Sequence, residues 1–106
     1  MDHLRTHLPF LQLMTTAKQS QCKALLKTIS NSQLNILCEI AYNLTHGSLG
    51  IGQKEIKKLK PYKRIIRTLA NEQFSSSKKR QYIINHLMKV LLMIKIALPY
   101  LRTITE

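Results

Sequence analysis

Ser30-Asn31-Ser32-Gln33-Leu34-Asn35-Ile36-Leu37-Cys38-Glu39-Ile40-Ala41-Tyr42-Asn43-Leu44-Thr45-His46-Gly47 carries the signals for both ends of a helix in its own sequence. Leu34, Leu37, Cys38, Ala41, Tyr42 and Leu44 follow the 3.6-residue period of a helix, and no strict alternation argues for a strand. Ser and Asn at 30–32 can accept hydrogen bonds from the first amides of a helix, and Gly47 stands where a left-handed residue closes one. The spacing therefore predicts a helix over 33–45.

The same period appears upstream in Cys22, Leu25, Leu26 and Ile29. Downstream, Gly47, Gly50 and Gly52, all the glycines of the chain, mark a loop. Ile56, Leu59, Tyr62, Ile66 and Leu69 then lay one apolar stripe along 53–71 and leave Lys57, Lys60, Lys63, Arg64 and Arg67 on another side. Pro61 lacks an amide proton and disfavours a helical Lys60, so the stripe is either two short helices with Pro61 opening the second, or one kinked helix. Ser75-Ser76-Ser77 offers a further cap, and the reading from there is one long helix over 78–98, stopped by Pro99. These elements predict an all-α fold: one compact domain over 1–106, a bundle of four to five helices packed around 78–98.

Composition supports a folded chain and restricts its chemistry. The 106 residues are 44% hydrophobic, with three Gly and three Pro, unlike a disordered segment. The length excludes a large catalytic domain. Cys22 and Cys38 are too few for a disulfide framework and stand in no metal-ligand motif, which suits a reducing compartment and a role as small core residues. The polar start Met1-Asp2-His3-Leu4-Arg5 and the short apolar run Leu8 to Met14, with Pro9 and Gln12 inside it, predict no secretory leader. Asp2, Glu39, Glu55, Glu72 and Glu106 are scattered, so no acid/base pair stands out, and no phosphate loop or nucleophile elbow occurs. His3 and His7 share a helical spacing without a third ligand nearby. Tyr42, Tyr62 and Tyr82 lie on apolar stripes and read as core aromatics with exposed hydroxyls. No catalytic residue, metal or cofactor is expected.

Charge is the strongest functional signal. Seventeen Lys+Arg oppose five Asp+Glu, a net +12, and the excess is concentrated. Residues 1–50 hold four cations, whereas the basic segment 54–80 holds ten against Glu55 and Glu72, a net +8 over 27 residues. Lys54, Lys57, Lys58, Lys60, Lys63, Arg64, Arg67, Lys78, Lys79 and Arg80 are the candidate nucleic-acid-binding residues. Cations on one helix face neutralise phosphates and release counterions. No zinc-finger spacing, ribonucleoprotein aromatic signature or basic zipper accompanies them, so the expected contacts are to the DNA backbone with little sequence readout. A solvated basic face, or one that meets an acidic protein or an anionic membrane, is the alternative.

The run Leu87-Met88-Lys89-Val90-Leu91-Leu92-Met93-Ile94-Lys95-Ile96-Ala97-Leu98 is too short and too interrupted to span a bilayer. It reads as a buried core helix, with an interfacial membrane helix or a self-association surface as other uses. A membrane-active or protein-interaction module acting through it is the second functional reading.

One ordered series carries a resemblance. It comprises Ala24-Leu25-Leu26-Lys27 leading to Gln33-Leu34, then Glu39-Ile40-Ala41-Tyr42-Asn43-Leu44-Thr45-His46-Gly47, then Lys57-Lys58-Leu59-Lys60-Pro61-Tyr62-Lys63-Arg64-Ile65-Ile66-Arg67-Thr68-Leu69-Ala70, and last Ser77-Lys78-Lys79-Arg80. This series resembles a family of small basic proteins encoded by large self-synthesising DNA transposons of the Maverick/Polinton type and by adintovirus-like DNA viruses, regarded as candidate virion or core proteins. The likeness covers residues 22–82. Relatives often carry Gln-Lys-Gly-Gly after the second basic cluster, where this chain has Ile84-Asn85-His86. The resemblance implies association with packaged DNA or the inner capsid, with capsid proteins as further partners and the nucleus or virion as the intracellular location.

Overall fold

The computed structural model describes residues 2–47 and 50–105. Along the chain run α1 (Asp2–Thr16), α2 (Gln19–Lys27), α3 (Asn31–Thr45), α4 (Gln53–Leu59), a 3₁₀ turn (Lys60–Tyr62), α5 (Lys63–Ala70), α6 (Ser76–Asn85) and α7 (Leu87–Thr105). No strand occurs among the described residues. The fold is all-α as expected, but among the described residues seven α-helices and one 3₁₀ turn stand where four to five helices were expected.

The ends of α3 follow local chemistry. Ser30 Oγ accepts from the Gln33 amide at 3.1 Å, and Gln33 Oε1 accepts in return from the Ser30 amide at 2.9 Å, a reciprocal pair that satisfies two otherwise unpaired donors. The helix so capped begins at Asn31, two residues before the predicted start. At its other end Gly47 takes φ +66, the left-handed region that an L side chain resists. Ser75 likewise accepts from the Lys78 amide at 3.2 Å and opens α6.

The expected single helix over 78–98 is two. The α6 and α7 axes are bent by 97° about His86. His86 leaves helical geometry (φ −134, ψ 37), its amide donates to the Ile83 carbonyl at 3.1 Å, and its Nδ1 donates to the Tyr82 carbonyl at 2.8 Å. The imidazole stacks on the Tyr82 ring at 4.1 Å. The same device ends α3, where His46 Nδ1 meets the Tyr42 carbonyl at 2.9 Å and the rings stack at 4.0 Å. In both places a histidine four residues after a tyrosine turns its ring back onto a carbonyl of the last helical turn. Pro99, expected to stop the helix, lies inside α7. Lys95 and Pro99 both face solvent, so the amide that proline lacks is missing on the side where water replaces it.

Packing follows from which faces are apolar. α1 lies against α7, α3 against α5, and α2 against α6. Leu4, Leu11 and Met14 of α1 meet a core that also holds Leu34, Ile36, Leu37, Ile40 and Ala41 of α3. α7 contributes Val90, Met93, Ile94, Ala97 and Leu101, all essentially without solvent exposure. Cys22 is buried and its thiol donates to the Met14 carbonyl at 3.3 Å, linking α2 to the end of α1. Both cysteines are free, Cys38 half-buried. Tyr42, read as a core aromatic, is instead 43% exposed beside His46. The radius of gyration is 12.7 Å, against about 13 Å for a compact domain of this size.

Candidate nucleic-acid interface

The basic segment takes its shape from Pro61. Gly52 precedes α4, whose first turn holds Glu55 and whose last turn holds Lys57 and Lys58. Pro61 cannot donate to a helical carbonyl, so the chain passes through the 3₁₀ turn and restarts as α5, the two-helix alternative of the sequence reading. α4 also meets α7, where Glu55 acts on the Tyr100 hydroxyl. Burial first, and then the hydrogen bond and charge of Glu55, hold that hydroxyl above its ordinary pKa, while a Gly52 backbone hydrogen bond acts in the opposite direction. Glu55 also lies 3.9 Å from Lys58, an exposed pair that restrains Lys58 little.

α5 is divided sharply. Ile65, Ile66 and Leu69 are buried, and α3 is the helix it packs on most. Lys63, Arg64 and Arg67 are therefore turned to solvent, joined one turn earlier by exposed Lys60. These four cations line one shallow groove of about 560 Å³ that ends at Asn71 and Phe74. Asn71 Oδ1 accepts from the Gln73 amide at 2.9 Å, and the Phe74 amide donates to the Asn71 carbonyl at 3.2 Å, a tight turn that sets the Phe74 ring at the groove end. Lys78 Nζ lies 4.0 Å from the centre of that ring, which carries the positive surface from α5 to the start of α6.

The ten candidate residues do not share one surface. Lys54, Lys57 and Lys58 are exposed on α4 but do not line the groove, whereas Lys60, Lys63, Arg64 and Arg67 do. Lys78 adjoins the groove through Phe74. Lys79 is buried and Arg80 half-buried, so neither stands among the fully exposed cations expected to meet phosphate. Lys79 is only 9% exposed and stands with Cys38, Glu39 and Glu72 around a small pocket between α3, α5 and α6. Arg80 donates through one guanidinium nitrogen to the Ile29 carbonyl and through the other to Asn31 Oδ1 at 2.6 Å, fastening α6 to the α2–α3 corner. Helical geometry accounts for both: Ile83 is fully buried, and residues three and four positions before it lie over the same face. That spacing is visible in the sequence. Phe74, absent from the candidates, gives no sequence signal beyond its place beside Ser75, because the Asn71 turn is what brings it to the groove.

Burial pushes the Cys38 thiol above its ordinary pKa, and Lys79 offsets part of this by its charge and by a hydrogen bond. Alkylation of Cys38 by iodoacetamide, followed by mass spectrometry across alkaline pH, is expected to reach half its maximal rate at a higher pH than a free cysteine does. Lys79→Met should move that midpoint further up, since both effects of Lys79 lower it. A midpoint at or below the ordinary thiol value would refute the geometry.

The side chain of His3 lies outside the described residues, and the His3–His7 spacing with it. Among the described residues no three His, Cys, Asp or Glu side chains gather as a metal site. No protein-family model matches the chain, and no curated protein and no solved structure matches it.

Proposed function

We propose that this is a non-enzymatic protein that binds nucleic-acid backbone, DNA foremost, without strong sequence specificity. The carrying observation is the placement of Lys60, Lys63, Arg64 and Arg67 around one open groove on a helix whose opposite face is buried. A helix already packed on the core presents these cations without a cost for ordering the backbone, and each neutralised phosphate adds counterion release. The groove offers neither a recognition helix free to enter a major groove nor a set of amide side chains aimed at base edges, in keeping with backbone contact. The ordered likeness to the small basic proteins of Maverick/Polinton transposons and adintovirus-like viruses adds a setting: a virion or core component that meets packaged DNA, with capsid proteins as second partners and the nucleus or virion as its location.

The reading through the apolar C-terminal helix gains no support from the packing. The α7 residues that would enter a bilayer are in contact with α1 and the core. Among the described residues no single helix is long and apolar enough to cross a membrane, and the pair that passes by composition is bent by 97°.

Fluorescence anisotropy of a labelled duplex, repeated from low to physiological salt, tests the proposal. Engagement of four to eight phosphates predicts a log–log salt slope of about −4 to −7, with binding retained at physiological salt. Loss of all binding well below that salt would reduce the charge to a general surface property.

A further inference from the structure

A second cavity, of different chemistry, borders three of the same cations. It holds about 430 Å³ between α3, α4 and α5, a volume within the usual range of small-molecule sites. Leu44, Ile51, Ile56, Leu59 and Ile66 supply most of its wall, and Lys60, Lys63 and Arg67 stand along one margin. Neutral polar groups are few. Asn43 is one; Thr45 is another, and its hydroxyl already donates to the Ala41 carbonyl at 2.9 Å. The charged margin therefore offers donors and positive charge, while the wall offers neither.

A ligand that satisfies both parts is apolar along most of its length and anionic at one end. A cationic or neutral head would leave three clustered positive charges unmatched. An extended peptide would bring an N–H and a C=O with every residue into a cavity with almost nothing to pair them. A peptide helix pairs its own backbone but is about 10–12 Å across, too wide for this space. An alkyl chain has no such groups to satisfy, and an apolar pocket accepts it by releasing weakly held water.

We propose that this cavity binds a single-chain anionic amphiphile, a long-chain carboxylate or alkyl phosphate, with its chain between Ile56, Leu59 and Ile66 and its head on Lys60, Lys63 and Arg67. The cavity shares Lys60, Lys63 and Arg67 with the groove but has its own apolar wall, so the proposal stands whether or not the chain binds DNA.

Calorimetric titration of the full chain with dodecanoate, kept below its micelle-forming concentration, tests this. Saturable one-to-one binding is expected, with dodecanol and dodecyltrimethylammonium weaker by about tenfold or more, the scale of one charge-assisted hydrogen bond. Dodecyl phosphate should bind like dodecanoate. Inorganic phosphate binding as tightly as dodecyl phosphate would overturn the proposal, because the chain would then contribute nothing. Ile56 is 47% exposed, so Ile56→Gln asks little of the fold; it should weaken dodecanoate by about tenfold, the scale of one methylene's worth of apolar surface in a pocket. Lys63→Gln should weaken dodecanoate and leave dodecanol unchanged. Unsaturable uptake, equal affinity for dodecanol, or adsorption to phosphatidylglycerol vesicles without binding of monomeric dodecanoate would each refute it. Duplex binding by Ile56→Gln is expected to match the unsubstituted chain, so a failure here is separable from a failure of the nucleic-acid reading.

Discussion

Replacing Lys60, Arg64 and Arg67 together by Gln is expected to flatten the salt dependence of duplex binding by about 2.7 in log–log slope, near 0.9 for each phosphate no longer neutralised. Affinity should fall by a similar factor for duplexes of unrelated sequence, since backbone contacts carry no base information. The three side chains are exposed and line the groove while Ile65, Ile66 and Leu69 hold α5 in place, so their replacement removes charge and leaves the packing intact. A matched variant, Lys18, Lys89 and Lys95 to Gln, removes three exposed cations elsewhere. If net charge alone drives binding, the two variants behave alike and the groove has no special part. If the groove is the site, the first loses most of its binding and the second loses little.

Ile94→Ala is expected to cost about 2–5 kcal/mol of folding stability, the range for a large-to-small change at a buried site. Ile94 has no solvent exposure and lies in the middle of α7, the helix that packs along α1. Against a total of about 5–15 kcal/mol for a domain of this kind, such a loss moves a urea-unfolding midpoint strongly. The next residue provides the contrast. Lys95 is exposed, and Lys95→Ala should stay within about 0.5 kcal/mol. Equal, small effects at both positions would show that α7 does not form the core and would restore the membrane or interaction reading of the C-terminal segment. Vesicle leakage by the intact chain would then be the observation to seek.

Features set within one helical turn are legible in the residues. The Ser30 and Ser75 caps, the left-handed Gly47 and the break at Pro61 each depend on a backbone group and a neighbour three or four positions away. Ile56 belongs to the apolar stripe by its spacing and is nevertheless half exposed; α4 packs mainly on α7 and the turn that follows it. α1 gives no comparable signal in the sequence, and Pro9 sits inside it. The Asn85-His86 step reads as continuous in a run of apolar residues, yet the chain turns there through 97°. The Tyr82–His86 pairing, which repeats Tyr42–His46 at the end of α3, is the local feature that sets that site apart from Pro99, where the helix continues.

The amino-acid sequence by itself determined an all-helical chain, the positions of its strongest caps and breaks, and a +12 charge gathered in 54–80. Cap and left-handed glycine effects are short-range, and charge is a property of composition. Tertiary packing decided that Lys79 is buried and Arg80 half-buried while Lys60, Lys63, Arg64 and Arg67 face outward. The direction of a side chain depends on which helix face another element covers, and that is settled only when distant apolar surfaces meet.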